Sequence, residues 1–348
     1  MPAIPASGAI SLSDFAAEFG GTVPHSLSEY YRDGGNVPSN NTNVPTSGLF
    51  RFSDMRGAIN AIIQTLSNTT NVDLSTVFGS DWASSVPKEV IIPSGVTIGG
   101  TGSSDALTAP SGMGGTLTIT NAGSIIGKGG AVGGAGGNAI RIASSGITVA
   151  NSGLIAGGGG GGGTGGTGGT GGNGKVDAGY DSQINQCGYS CGGGAGNPPS
   201  TYVNTACGTG LIAVYKSCFT GSCQMGDQPS MNYLYDCYNQ VSGGAGGAGG
   251  AGGVGQGYNQ SAGNGSTGSS GATGAGDSGN GGSGGSGGNG GAYGSAGSSG
   301  NTGSSGANGS ISNGSAGSAG ASGGAAGAAV IYTVSYTMNN SGTLAGAA

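Results

Sequence analysis

Short alternating segments of apolar and polar residues run through the middle of the chain and predict β-strands. Residues 117–127 and 147–157 carry one unit of strand, Asn-x-Gly turn and second short strand, thirty residues apart. Residues 336–346 repeat this unit after a long interval. Such repeats predict stacked coils of a β-helix or prism, because no single unit buries its apolar side chains alone.

A second internal repeat marks the first 87 residues, where segment 4–15 matches 44–55 at an offset of forty. In each copy a turn rich in Pro, Ser and Gly leads to a Ser-Asp pair. Ser13 or Ser53 is then placed to accept from the free amides of a short helix. The pattern predicts helices over 14–19 and 54–66.

Glycine dominates residues 158–329 with a period of three. Gly-Gly-Thr and Gly-Gly-Ala recur, with their third residues at Thr164, Thr167 and Thr170 and at Ala245, Ala248 and Ala251. Three residues per turn is the polyproline II geometry, and the frequent proline of collagen is missing. Helices of this kind can pair amides and carbonyls side by side, because glycine permits close approach. A flexible Gly/Ser linker is the alternative, but copies of one β unit bracket the tract and favour order.

These patterns define a predicted fold class and predicted boundaries. The fold class is mainly β with a polyglycine II helix bundle, a small α/β N-terminal module, β-helix or prism-like repeats and a disulfide-rich loop insert. The predicted domains are the N-terminal module 1–87, the β-repeat domain 88–157, the glycine-rich region 158–329 with its insert 175–240, and the closing β repeat 330–348.

Composition argues against an ordinary enzyme. Glycine accounts for 88 of 348 residues and charged residues for only 6%, whereas typical globular chains contain about 7% and about 25%. The net charge of −6 and the scattered Lys and Arg leave no basic stripe for nucleic acid. The apolar runs are far shorter than the ~20 residues that cross a bilayer, so membrane insertion is not expected.

All six cysteines lie between residues 187 and 237, in a segment rich in Tyr, Asn and Gly. An even number in so short a segment is typical of a disulfide framework in an extracellular protein. Zinc is the alternative, but the spacings are loose and the only histidine is the distant His25. No metal and no other cofactor is expected. The candidate disulfide residues are Cys187, Cys191, Cys207, Cys218, Cys223 and Cys237.

Catalytic motifs occur only as chance strings. Residues 281–285 fit the G-x-S-x-G elbow, but a Gly/Ser tract generates that string and no histidine is near. Residues 123–129 resemble a phosphate loop that is one residue too short. No catalytic residues are predicted. A glycosidase pair among the carboxylates of the insert would need a separation that the sequence does not set; these carboxylates are Asp177, Asp181, Asp227 and Asp236.

Several short N-terminal sequence motifs resemble the first module of many phage virion and tail-fibre proteins. They are the run Ile4–Phe15, Glu18-Phe19-Gly20-Gly21, Ser26–Arg32 and the second copy Pro45–Gly57, and the match covers about sixty residues. The resemblance implies a module that joins a fibre to other tail proteins. It also implies a virion location, with synthesis in the host cytoplasm, and the first residues show no secretory signal.

The glycine tract resembles the tip adhesins of T-even-type phage long tail fibres, in which loops between glycine helices recognise the host. This resemblance implies a receptor-binding adhesin, and fibres of this class imply a homotrimer. Two alternatives stay open: a purely structural fibre shaft or decoration protein, and a surface-glycan depolymerase.

Tyrosine is concentrated in the insert, where seven of the thirteen tyrosines fall. Tyrosine offers a large amphipathic contact area at low entropic cost and is favoured in binding loops. Some of these rings are expected to form the insert's own core. The residues predicted to contact a host outer-membrane protein or polysaccharide are Tyr202, Tyr233, Tyr235 and, outside the insert, Tyr258.

Overall fold

The computed structural model describes residues 4–38, 40–187, 207, 211–222 and 229–348. Within them the chain is mainly β, with short helices confined to the first quarter of the sequence. It forms an N-terminal module, a stack of parallel strands, a bundle of glycine-rich segments and an antiparallel insert sheet.

A small apolar core organises residues 4–58. Helix α1 (Leu12–Phe19) buries Phe15 and Phe19, and the ring of Phe15 lies edge-on to Tyr30 at 5.7 Å between centroids. The predicted cap Ser13 lies inside α1. Ser11 precedes the helix instead, and its backbone N–H donates to the Asp14 carboxylate at 2.6 Å. A single 3-10 turn, Leu27–Tyr30, supplies Tyr30.

The second predicted helix, over 54–66, is wrong. Phe52–Met55 forms one 3-10 turn, and Gly57 follows with a φ of 71°, a conformation that favours glycine. Strand β1 (Ile62–Thr65) comes next and pairs in parallel with β4 (Lys88–Ile92). Both repeat copies therefore begin a helical turn, but only the first continues as an α-helix, because the chain after the second copy enters a sheet.

The apolar core of the stack begins at Ile62, whereas that of the N-terminal module ends at Ala58. Residues 62–87 therefore belong to the stack, and the division lies well before the predicted position at 87. Helix α2 (Leu74–Phe78) and the 3-10 turn Gly79–Ala83 cover the first coil, with Phe78 and Trp82 stacked at 6.2 Å.

Three parallel sheets form the stack. Each of the first four coils of the chain adds one strand to each sheet, and the last coil adds one strand to the first and second sheets. Their inward residues make one continuous core that includes Ile92, Ile119, Ile125, Ile140 and Val149. The first sheet contains β1, β4, β7 (Leu117–Asn121), β10 (Ile147–Asn151) and β16 (Thr337–Asn340). The second contains β2 (Thr69–Thr70), β5 (Thr97–Gly99), β8 (Ser124–Ile126), β11 (Leu154–Ala156) and β17 (Thr343–Ala345). The third contains β3 (Val72–Asp73), β6 (Leu107–Ala109), β9 (Ile140–Ile142) and β15 (Val330–Tyr332).

The strands predicted in the three sequence repeats are present and lie at equivalent places on adjacent coils. Each Asn-x-Gly turn is a corner between two sheets, not a hairpin. Asn121, Asn151 and Asn340 are in register at this corner. The Nδ2 of Asn121 donates to Asn151, and the Nδ2 of Asn151 donates to Asn340, both at 2.7 Å. A ladder of amides thus joins the coils.

The bundle is inserted in the fourth coil, between β11 and β15. We name its extended segments gly-1 (157–172), gly-2 (243–256), gly-3 (262–275), gly-4 (279–291), gly-5 (295–309) and gly-6 (312–327). Their hydrogen bonds recur every three residues. The amides of Gly165, Gly168 and Gly171, for example, donate to Gly250, Gly247 and Gly244, each at 2.8 Å. The period predicted from the sequence is therefore the period of the contacts between segments.

Gly-1 lies at the centre of the bundle. Its amides donate to gly-2 and gly-5, and its carbonyls accept from gly-4 and gly-6. The loop 127–138 of the third coil covers its remaining side near the stack. Within that loop, Gly130 and Gly133 donate to the carbonyls of Gly159 and Gly162 at 2.8 and 2.9 Å. The loop ties the bundle to the stack.

Glycine content in each segment follows the number of its faces that are covered. Residues 157–163, which are covered on every side, are seven consecutive glycines. Beyond the loop, Thr164 occupies the outward position of gly-1 and is exposed. Gly-2 and gly-4 keep two glycines in three, and the outer gly-3 and gly-5 keep one. A Cβ at Gly161 would lie 1.7 Å from the Ala131 carbonyl oxygen, which explains why only glycine fits at this covered position.

Candidate functional site

The end of the bundle away from the stack carries the only antiparallel sheet among the strands that the structure describes. Its strands are β12 (Gly174–Cys187), β13 (Leu211–Ser222) and β14 (Pro229–Val241), in the order β12-β14-β13. β12 follows gly-1 directly, and β14 leads directly into gly-2. The sheet therefore grows from two segments whose positions the bundle fixes.

Two turns between glycine segments lie at the same end, namely 276–278 and 310–311. We call these turns and the insert sheet the distal tip. Asp277 joins its parts, because its carboxylate accepts from the backbone N–H of Lys175 and its carbonyl accepts from Ser310 at 3.2 Å. The Lys175 amide, followed by the Ser310 hydroxyl, lowers the pKa of the Asp277 carboxyl. The distal tip is thus one connected surface.

One face of the insert sheet forms a small core. It contains Cys207, Ala213, Tyr233, Tyr235 and Cys237, all buried, with a disulfide between Cys207 and Cys237. The half-exposed ring of Tyr215 lies 6.2 and 6.1 Å from those of Tyr233 and Tyr235. Burial, followed by repulsion from Tyr233, raises the pKa of Tyr235.

This core corrects two of the predicted contact residues. Tyr233 is 8% exposed and Tyr235 is 0% exposed, so neither offers a surface to a partner. Both side chains point to the disulfide face, because alternate residues of β14 share one face. The sequence predicted that some tyrosine rings form a core, but it assigned these two to the contact surface instead. Tyr202 lies outside the described residues.

Tyr258, the fourth predicted contact residue, lies at the opposite end of the bundle. Its amide donates to the Gly127 carbonyl at 3.1 Å. Its ring lies against Gly99 of β5, where an added Cβ would come within 2.4 Å of the ring carbons. Tyr258 therefore anchors the bundle on the stack and is not brought together with the residues of the insert.

The six candidate disulfide residues are placed unequally. Cys207 and Cys237 are bonded, with 5.5 Å between their Cα atoms. Cys187 ends β12 and Cys218 lies in β13, and the prediction that they form disulfides stays a prediction. Cys191 and Cys223 lie outside the described residues. Among the described residues no cluster of three or more His, Cys, Asp and Glu could hold a metal ion.

The opposite face of the insert sheet carries a charged cluster that sequence reasoning missed. The Nζ of Lys216 lies 3.2 Å from Asp181 and 2.8 Å from Asp236, on two different strands. These partners raise the pKa of Lys216, with Asp236 contributing most. Lys216 in turn holds the pKa of the Asp236 carboxyl below its usual range. The register of the strands brings these groups together, and no spacing in the sequence predicts the cluster.

Apolar and aromatic side chains surround this cluster. Ile212 is paired with Tyr238 and Val214 with Asp236, so they share the face of the cluster. The Lys175 ammonium lies 4.4 Å from the centroid of the Tyr238 ring, a cation–π contact. Exposed aliphatic groups continue on the distal tip at Val176, 36% exposed, and Ile311, 42% exposed. This surface combines charge with accessible apolar area.

A shallow groove of about 400 Å³ lies on the stack, along β10 and β16. Its described lining consists of hydroxyl, amide and small side chains, namely Thr120, Ala150, Asn151, Ser152, Asn339, Asn340 and Ser341. These side chains offer no acid and base pair. In the part of the chain that the structure describes, no helix is long and apolar enough to span a membrane.

Comparison with known proteins gives one structural likeness. The sequence matches no protein-family model, and no curated protein matches it significantly. The crystal structure of the gp37–gp38 adhesin tip complex of the bacteriophage S16 long tail fibre contains a similar chain with 18% sequence identity and a TM-score of 0.36. The alignment covers 98% of this chain and 99% of that one.

Proposed function

We propose that this chain is a bacteriophage tail-fibre or tail-tip adhesin that binds the host surface and catalyses no reaction. Its place is the phage tail of the virion. The N-terminal module joins it to other tail proteins, and the distal tip contacts a host outer-membrane protein or polysaccharide. The observation that carries the proposal is the position of the insert sheet at the far end of a long bundle.

The bundle supports this reading if its segments are polyglycine II helices. The three-residue period of their hydrogen bonds and the glycine on every covered face favour that assignment. Gly-1 alone contains sixteen residues, which corresponds to about 50 Å at 3.1 Å per residue. Such a spacer holds the distal tip away from the stack and from the N-terminal module.

Within the distal tip, we assign the contact role to the face of the insert sheet that bears Lys216. Ile212, Val214 and Tyr238 are only half-buried there, beside the Asp181–Lys216–Asp236 cluster. Tyr238 replaces the buried Tyr233 and Tyr235 as the aromatic contact. Aromatic side chains surrounded by polar groups are the usual anchors of protein interfaces.

The N-terminal module presents an apolar surface suited to joining a tail protein. Leu49 is 70% exposed and Phe52 is 37% exposed. Phe50 lies between them in sequence and packs edge-on against Tyr31 at 5.6 Å. A cluster of exposed aliphatic and aromatic groups on a small module is typical of a protein interaction site.

Two alternatives predict different experimental outcomes. A fibre shaft or decoration protein would not bind host cells by itself. A depolymerase would release oligosaccharide from host surface polysaccharide. The Asp181 and Asp236 carboxylates that share Lys216 do not favour the depolymerase, because a glycosidase acid needs a raised pKa, whereas Lys216 lowers that of Asp236.

A homotrimer belongs to the same proposal and rests on the resemblance of the glycine tract to fibre proteins. The core of the stack and the surroundings of gly-1 are completed by residues of a single chain. Trimer contacts would therefore come from outer surfaces. Light scattering of the full-length protein tests this, and a monomeric mass would contradict it.

The decisive test is adsorption of the labelled full-length chain to host cells. Tyr238→Ser should lower adsorption at least tenfold because it removes the proposed aromatic contact. Tyr332→Ser is the matched control, since Tyr332 is a tyrosine with 54% exposure on strand β15 of the stack. Equal adsorption of both variants and the unmodified chain would contradict the assignment of the contact face.

A further inference from the structure

The core of the insert depends on a disulfide to a degree that no other part of the molecule shares. Among the residues that the structure describes, five are buried in this core, and two of them are Cys207 and Cys237, which are 6% and 0% exposed. The stack has a core of twenty-two buried apolar residues that includes no cysteine. All six cysteines of the chain lie between residues 187 and 237. Thiol–disulfide chemistry can therefore act on the insert alone.

The bond joins the centre of β14 to a residue that precedes β13. Cys237 is paired with Ala213 in the sheet register, and Cys207 lies four residues before the start of β13 at Leu211. The sequence separation of the two cysteines is 30 residues. Closing a loop of this length restricts the unfolded chain strongly, whereas the three other buried side chains described in this core supply little burial to replace the bond.

We propose that the Cys207–Cys237 disulfide is a maturation switch that orders the insert sheet only after the protein leaves a reducing environment. In the reduced protein the insert is open, while the stack and the bundle are already folded. Oxidation then assembles the sheet and its outer face. The consequence for host adsorption rests on the proposed function, but the switch itself does not.

The chemistry is thiol–disulfide exchange with a low-molecular-weight disulfide as the oxidant. The thiolate of one cysteine attacks a sulfur of the oxidant, forms a mixed disulfide and expels one thiolate. The second cysteine then attacks the sulfur of the first cysteine and expels the other thiolate. The protein loses two protons and two electrons, and the oxidant gains them as two thiols.

The test measures amide hydrogen exchange of the full-length protein, first oxidised and then treated with a phosphine reductant. We expect exchange in 211–217 and 233–241 to accelerate about 100-fold on reduction, with no change in 157–172 or in β7 and β10. Addition of glutathione disulfide should restore slow exchange, and mass spectrometry should recover the peptide that links Cys207 to Cys237.

The double variant Cys207→Ala, Cys237→Ala separates this bond from the other four cysteines. Kept under oxidising conditions, it should exchange as fast in the insert as the reduced protein. Slow exchange in this variant, or in the reduced unmodified protein, would overturn the switch.

Adsorption to host cells distinguishes the switch from the proposed function. Loss of both protection and adsorption on reduction supports both proposals. Loss of protection with unchanged adsorption upholds the switch and contradicts the role of the insert in host binding.

Discussion

The stack and the bundle bury the same backbone groups in opposite ways. In the stack, parallel strands satisfy the amides and carbonyls, and apolar side chains such as Ile119 and Ile125 fill the interior. In the bundle, the backbone fills the interior, and side chains appear only on faces without a neighbour. A stack therefore tolerates changes that conserve the volume of its apolar core, whereas a bundle tolerates no Cβ on a covered face.

The sharpest way to test this difference is to add a side chain inside the bundle. A Cβ at Gly165 would lie 1.9 Å from the Gly285 carbonyl oxygen, and a Cβ at Gly246 would lie 1.9 Å from that of Gly168. Gly165→Val or Gly246→Val should lower the free energy of unfolding by more than about 3 kcal/mol, because the obstructing atoms belong to backbone. Thermal or denaturant unfolding measures the loss. Ala248→Val adds volume at an exposed position of gly-2 and should change stability little; comparable losses for Ala248→Val and Gly246→Val would contradict this account.

The stack should respond to the removal of volume instead. Ile119 is fully buried in β7, and Ile119→Ala should lower the free energy of unfolding by about 3 kcal/mol through lost burial and a residual cavity. Thr118→Ala on the outward face of the same strand is the control, with an expected loss below about 1 kcal/mol. If denaturant unfolding gave similar losses for the two variants, the interior of the stack would not be a closed apolar core.

The amide ladder should contribute less than the apolar core. Asn151→Ala removes the acceptor of Asn121 and the donor to Asn340, and leaves the buried Asn121 amide with only its 3.2 Å bond to the Leu154 carbonyl. We expect a loss of about 2 kcal/mol in denaturant unfolding. Asn340→Ala, at the exposed end of the ladder, should cost clearly less. Losses of equal size would show that burial does not set the strength of these bonds.

The smallest expected effect is at the distal tip. There the Asp277 carboxylate, and not an apolar core or a contact between glycines, joins the parts. The folded-state pKa of Asp277 is lowered by the Lys175 amide and then by Ser310. Its stabilising contribution is therefore complete above the unfolded pKa of about 3.9 and is lost as pH falls through the lower folded pKa. Protection from hydrogen exchange at 173–176 and 308–312, taken relative to the intrinsic rate at each pH, should fall in that acidic window. Asp277→Asn should remove this pH dependence, and a variant that keeps it would contradict the assignment.

Local sequence patterns predicted the strands of the three repeats and the period of the glycine tract. Both depend on short spacings: two residues for strands and three for the glycine segments. The helix predicted over 54–66 failed because strand pairing with β4 decided the conformation of 62–65. Tyr233 and Tyr235 failed as contact residues because alternation along a strand gives two faces but does not say which face is covered.

The sequence alone determined which positions of gly-1 have no side chain, because the positions of glycine and threonine can be read from it directly. The tertiary structure gives the reason for the seven consecutive glycines at 157–163. The loop 127–138 from another coil covers the one side of gly-1 that the other glycine segments leave open there. The tertiary structure also decided the charged cluster of Asp181, Lys216 and Asp236, which the strand register of the insert assembles. Periodicity is a property of neighbouring residues, whereas coverage and register depend on segments far apart in the chain, and only folding brings those together.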